Sequence, residues 1–240
     1  ELTINSDHGT PVGAGWYASG EEASWSVTSP TEEAGGTRYV TSTPTGSVLM
    51  DAPQTIDIPW TTQYELTINL DHGTPVGAGW YAAGEEVPWS VTSPVAEAEG
   101  VQRVASPGSG SVVMDSPKTV EVSWTVEYLL TVVSARGDPQ GSGWYASGSE
   151  ATWSVTTPVV EEDGTQYIAE SSSGTVVMDG AQRVEVEWTI PPPVAGFQAA
   201  PLSGQVSLHV QFTDQSTGTI TSWAWDFGDS GKSNEPNPFH

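Results

Sequence analysis

Gly9-Thr-Pro-Val-Gly-Ala-Gly-Trp-Tyr-Ala18 returns unchanged as residues 73–82, and returns again as Gly137-Asp-Pro-Gln-Gly-Ser-Gly-Trp-Tyr-Ala146. The interval is 64 residues each time. It also separates Trp25, Trp89 and Trp153, then Met50, Met114 and Met178, then Trp60, Trp124 and Trp188. Self-similarity at a fixed period is the mark of tandem units, so the chain reads as three copies of one module before any element is assigned.

Within the second copy the pattern is that of short strands. Glu65-Leu-Thr-Ile-Asn69 alternates polar and apolar, as a half-buried strand does, and a Gly/Pro turn follows from His72 to Gly79. Val87, Trp89 and Val91 form one face of a second strand. Val101–Ala105 gives a weak third, Ser111–Met114 a fourth, and Thr119–Thr125 a fifth with Val120, Val122 and Trp124 on one face. The next copy opens at Tyr128, which predicts stiffly coupled modules rather than modules on slack linkers. A unit this small is marginal alone. Three Trp and one Met per copy supply the apolar area it needs, at roughly 150–250 Å² per aromatic ring.

Composition agrees. With 26 Gly, 18 Pro and 11 Trp among 240 residues, an all-β fold is expected. Thirty acidic residues face six basic ones, a formal charge of −24. That field repels phosphate backbones and anionic lipid, which argues against nucleic acid and anionic membranes as partners, and divalent or sodium ions would screen it. No apolar run approaches the roughly 18 residues that span a bilayer, so no membrane insertion by this segment is expected. With no cysteine, disulfides and thiolate metal sites are excluded. Glu1 opens directly on a strand-like run, so the N-terminus reads as a processed or excised end.

The succession Tyr128-Leu-Leu-Thr-Val132, Gly143-Trp-Tyr-Ala-Ser-Gly148, Thr152-Trp-Ser-Val-Thr156, Val177-Met-Asp179 and Val184-Glu-Val-Glu-Trp188 resembles the divergent internalin-type B-repeat of bacteria. Met114-Asp-Ser-Pro-Lys-Thr-Val120 matches that family's Met-Asp-x-x-Lys-x-Val stretch. Its central Gly-Trp segment is absent, and Val101-Gln-Arg-Val-Ala105 stands there instead. The resemblance covers residues 1–190 and implies small β domains strung on a large secreted or surface protein.

Pro191-Pro192-Pro193 then forms a stiff linker. Beyond it, Val194-Ala-Gly-Phe197, Val210-Gln-Phe-Thr-Asp-Gln-Ser216, Trp223-Ala-Trp-Asp-Phe-Gly-Asp229 and Asn237-Pro-Phe-His240 resemble the polycystic-kidney-disease (PKD) domain, an immunoglobulin-like β-sandwich. The expected organisation is β repeats at 1–63, 64–127 and 128–190, then a PKD-like domain at 191–240, incomplete at its C-terminus. Either the parent protein continues past His240 or a neighbouring chain supplies the missing strands.

No arrangement for catalysis emerges. There is no Gly-x-Ser-x-Gly elbow, phosphate-cradling loop or Rossmann fingerprint. The pairs Glu21-Glu22, Glu85-Glu86 and Glu161-Glu162 would point to opposite faces of a strand, which is poor geometry for acid/base work. His8 and His72 sit in Asp-His-Gly-Thr-Pro turns whose third counterpart is Ala135-Arg136, which suits turn formation better than metal binding. Asp226 and Asp229 are the weak metal candidates, calcium being the one ion the PKD resemblance offers. Family comparison turns Tyr17 inward and leaves Trp16, Trp80 and Trp144 facing out, to cover a repeat junction, touch a subunit or stack on glycans. The Thr41-Ser-Thr-Pro-Thr45 loop could carry O-linked sugars. The expected role is a non-catalytic structural subunit of an extracellular surface layer, sheath or filament that self-associates. The alternatives are an adhesin stalk or carbohydrate-binding surface protein, or an accessory region of a secreted hydrolase.

Overall fold

The computed structural model describes all 240 residues, and every regular element is a strand. The chain divides into two compact units, Glu1–Ala98 with Gln102–Val126, and Glu99–Val101 with Glu127–His240.

In the first unit, repeat 1 pairs Leu2–Asn5 in parallel with Gln54–Asp57. A second sheet places Glu21–Val27 between Pro11–Val12 and Thr45–Met50, both antiparallel to it. Alternation along these strands sends Leu2, Ala23 and Met50 inward, with Ile4, Tyr17, Trp25, Val48 and Ile56 packed around them. Repeat 2 follows the same plan. Leu66–Asn69 pairs in parallel with Lys118–Glu121, and Glu86–Val91 lies between Ser109–Val113 and Pro75–Val76. Its core is Leu66, Ile68, Val87, Trp89, Val91, Met114 and Val122. Leu2 and Leu66 are fully buried, and removing such a side chain typically costs about 2–5 kcal/mol.

One device recurs in every repeat. Trp25, Trp89 and Trp153 stand directly opposite Gly46, Gly110 and Gly174 on the neighbouring strand. Each indole lies over its glycine so closely that a Cβ there would come within 2.6, 3.1 and 2.8 Å of the ring. The large residue needs the empty position across from it.

The second unit holds repeat 3 and the PKD-like module. Leu130–Ser134 pairs in parallel with Gln182–Val186, and Glu150–Ser154 pairs with Ser173–Val177. Leu130, Val132, Ala151, Val155, Ala169, Met178 and Val186 form the core. Two short hairpins build the module, Phe197–Ala200 with Gln211–Asp214 and Trp225–Asp226 with Lys232–Ser233. Phe239 bridges to Gln211.

The strands depart from the sequence expectation in four places. The boundary drawn between residues 63 and 64 falls inside one continuous strand, Thr61–Asn69, and that between 127 and 128 falls inside another, Ser123–Ser134. The last strand of one repeat is therefore the first strand of the next. The turn expected from His72 to Gly79 runs at its last residue into a strand, Gly79–Ala82, paired antiparallel with Gln63–Leu66. Val95–Ala98 is a strand that the expected five did not include.

Candidate functional site

The Gly-Trp-Tyr turn is held by its own backbone. Gly13, Gly77 and Gly141 have φ of 104°, 98° and 97°, and a Cβ at each would sit 2.4, 2.6 and 2.3 Å from the carbonyl oxygen of Ser24, Pro88 and Thr152. Only glycine fits. The tyrosine four residues on bends back, and the hydroxyls of Tyr17, Tyr81 and Tyr145 donate to the carbonyls of Gly13, Gly77 and Gly141 at 2.7, 2.9 and 2.8 Å. With Tyr directed inward, the tryptophan beside it is sent outward.

The three tryptophans then differ. Trp16 is 82% exposed and Trp144 41%, while Trp80 is half-buried. Trp80 is covered from repeat 1. The Arg38 guanidinium lies 4.5 Å from its ring centroid, and Arg38 Nε donates to Gln63 Oε1 at 2.8 Å. The hairpin of Thr31–Glu33 and Thr37–Val40 carries this arginine, and its second strand pairs with Thr61–Tyr64. At its tip Gly36, with φ of 80°, accepts the Glu65 N–H at 2.9 Å and rests against Pro117. The second unit repeats this contact. Gly100 accepts the Leu129 N–H at 3.0 Å and packs on Ala181.

His8 and His72 are packing residues. The His8 ring stacks on Tyr39 at 3.5 Å and meets Trp60 edge-on, and His72 meets Trp124 edge-on. In repeat 3 Arg136 takes that place, 3.6 Å over Tyr167 and paired with Glu161. A flat cation replaces a flat ring on the same partner, a substitution that the Asp-His spacing could not reveal.

In the PKD-like module, Phe197, Phe212, Trp225 and Phe227 make a continuous aromatic cluster that ends on His240, stacked 4.2 Å from Phe227. Asp214 ties the module together by accepting the Ser216 N–H at 2.9 Å and Trp223 Nε1 at 2.8 Å. The Ser216 hydroxyl, then Trp223 and the Ser216 amide, hold its carboxyl below the usual range. Asp229 is lowered by the Gly231 N–H and then by His240. Its second oxygen lies 2.9 Å from His240 Nε2. Asp226 accepts the Gly228 N–H and faces Lys232. Both acids are thus committed to turns and partners, and nowhere do three or more His, Asp or Glu gather as ligands. The residues present do not fit a calcium ion.

Strands, turns and core thus define a modular all-β chain ending in an immunoglobulin-like module. Residues 188–240 match the PKD domain family. No curated protein and no solved structure matches the chain. A PKD domain points to an extracellular surface or adhesion-type module. No helix is long and apolar enough to cross a membrane.

Proposed function

We propose that the chain is a non-catalytic structural segment of an extracellular surface assembly, a layer, sheath or filament, in which tandem β repeats supply reach and a periodic lateral surface. One observation carries this reading: Thr61–Asn69 serves two repeats at once, with Arg38 and Gly36 fastening the junction. A shared strand leaves no hinge residues between these repeats, and similar surfaces recurring every 64 residues suit multivalent contacts with neighbouring copies. The repeats' resemblance to internalin-type modules and the PKD domain support the same setting.

Electron microscopy of native material labelled against this segment should show ordered polymers. Sedimentation should show mass rising with protein and calcium concentration as counter-ions screen the −24 charge. A monomer at every concentration and salt would refute self-assembly. It would instead favour an adhesin stalk, which needs the same stiffness and a binding domain elsewhere in the parent protein.

A further inference from the structure

Trp16 and Trp80 occupy the same position of the same turn, yet one is 82% exposed and the other half-buried. The turns do not differ. Gly15 and Gly79 both have φ of 149°, the Tyr–Gly hydrogen bonds are alike, and Ala18 and Ala82 donate equally to Glu21 and Glu85. What differs is what arrives from the preceding repeat.

At Trp80 three things arrive. Gln63, Tyr64 and Glu65 pair with Ala82, Tyr81 and Trp80, and the Thr62 carbonyl accepts the Ala83 N–H at 3.0 Å. Arg38 covers the indole. Gly36 binds the Glu65 amide and rests on Pro117. One period earlier, the receiving positions are Trp16–Ser19, Glu1 and Pro53. There the pairing stops at the Leu2–Gly15 bridge, and Trp16–Ala18 belongs to no strand.

We propose that Glu1, Trp16–Ser19 and Pro53 form a ready-made acceptor for one more repeat of this class, joined in cis ahead of Glu1. Its final strand lies against Trp16–Ala18, its hairpin glycine rests on Pro53, and a cation or amide caps Trp16. The occupant is recognisable because the chain fills this acceptor itself at Trp80. The distal end of a second copy fits poorly. Pro191 and Pro192 stand where Gln63 and Tyr64 do and bring no N–H to the ladder, and the Gln166 N–H is already given to Thr219 Oγ1. The repeat series thus has a direction, open before repeat 1 and closed by proline after repeat 3.

This inference is independent of the assembly reading, and hydrogen exchange tests it in the full chain. The amides of Tyr17 and Ser19 should exchange at least ~10-fold faster than those of Tyr81 and Ala83. A second copy of residues 1–64 fused directly ahead of Glu1 should slow Tyr17 and Ser19 to the rate of their counterparts. Gly36→Val in the added copy should undo that protection while the added copy's core amides, such as Ala23 and Val48, stay protected. Arg38→Ala there, which leaves the hairpin intact, should undo it in part. Continued fast exchange beside a folded added copy would overturn the proposal. So would protection that develops in the unextended chain with concentration, which would make a second copy the occupant, or with added oligosaccharide, which would make this face a sugar site.

Discussion

The indole that closes each repeat offers a matched comparison. Trp60 Nε1 donates to Ser6 Oγ at 3.1 Å, and Trp188 Nε1 donates to Ser134 Oγ at 2.9 Å. In repeat 2 the equivalent residue is Leu70, and Trp124 Nε1 is buried without an acceptor. The surroundings are otherwise alike. His8 and His72 both meet the ring edge-on at 5.7 Å, and Gly9 and Gly73 crowd it equally. Trp60→Phe and Trp124→Phe therefore remove the same atoms from the same packing. The first also loses a hydrogen bond worth about 1 kcal/mol net, whereas the second relieves an orphaned N–H that costs about 1–3 kcal/mol. Trp124→Phe should thus destabilise its repeat by about 2–4 kcal/mol less than Trp60→Phe does. Leu70→Ser supplies the missing acceptor at the expense of a half-buried leucine worth about 1 kcal/mol, so it should leave repeat 2 unchanged or up to about 2 kcal/mol more stable. Coupled repeats need not unfold in one step, so native-state hydrogen exchange in graded denaturant is the assay, reading each repeat's core amides separately. Equal losses from the two Phe variants would refute the reasoning.

Gly141→Ala places a Cβ 2.3 Å from the Thr152 carbonyl, whereas Gly148→Ala, at φ of 79°, meets nothing within 4 Å. Thermal melts should show a loss of about 1 kcal/mol for Gly148→Ala and about 3 kcal/mol or more for Gly141→Ala. Arg38→Ala removes the cover on Trp80 and the bond to Gln63, so exchange at Trp80–Ala82 should rise by the equivalent of about 0.5–1 kcal/mol, with the repeat 1 core unaffected. Asp214 and Asp229 have lowered folded-state values, so the stability they lend is present above the unfolded value near 3.9 and is lost as pH falls through the folded value. The PKD-like module should accordingly loosen below about pH 4, as read by exchange at Gln211–Asp214, and Asp214→Asn should flatten that dependence.

The repeats were legible because large residues recur at one interval and Gly/Pro clusters separate alternating runs. The proline linker and the Trp-x-Trp-Asp-Phe-Gly-Asp string likewise placed the last module. Less visible was everything that crosses a repeat boundary. Tyr64, Leu66 and Ile68 share one alternation that runs straight through the expected border, but the 64-residue period by itself marks no difference between a strand that ends there and one that two repeats share. Gly79–Ala82 looks like a turn because its two neighbouring turn glycines outweigh a strand made by pairing with an incoming partner. Val95–Ala98 carries alanine and glutamate on an exposed hairpin, where no apolar period betrays a strand. The separation of Trp16 from Trp80 depends on Arg38, a residue 42 positions before the ring it covers in the sequence, and local pattern is blind to such a contact.

Sharing one strand between repeats 1 and 2 bears on how the first unit would come apart. Melting either neighbour strips half the hydrogen bonds from a backbone segment that the other still uses, so a repeat flanked on both sides loses two supports and one at an end loses a single support. Melting repeat 1 should therefore loosen repeat 2 through Thr61–Asn69, and melting repeat 2 should loosen repeat 1 in the same way. Nor can a stray residue be absorbed between Gln63 and Tyr64. One insertion would turn Leu66 and Ile68 out to solvent, and the same continuity that joins repeats 1 and 2 would carry the fault from one into the other.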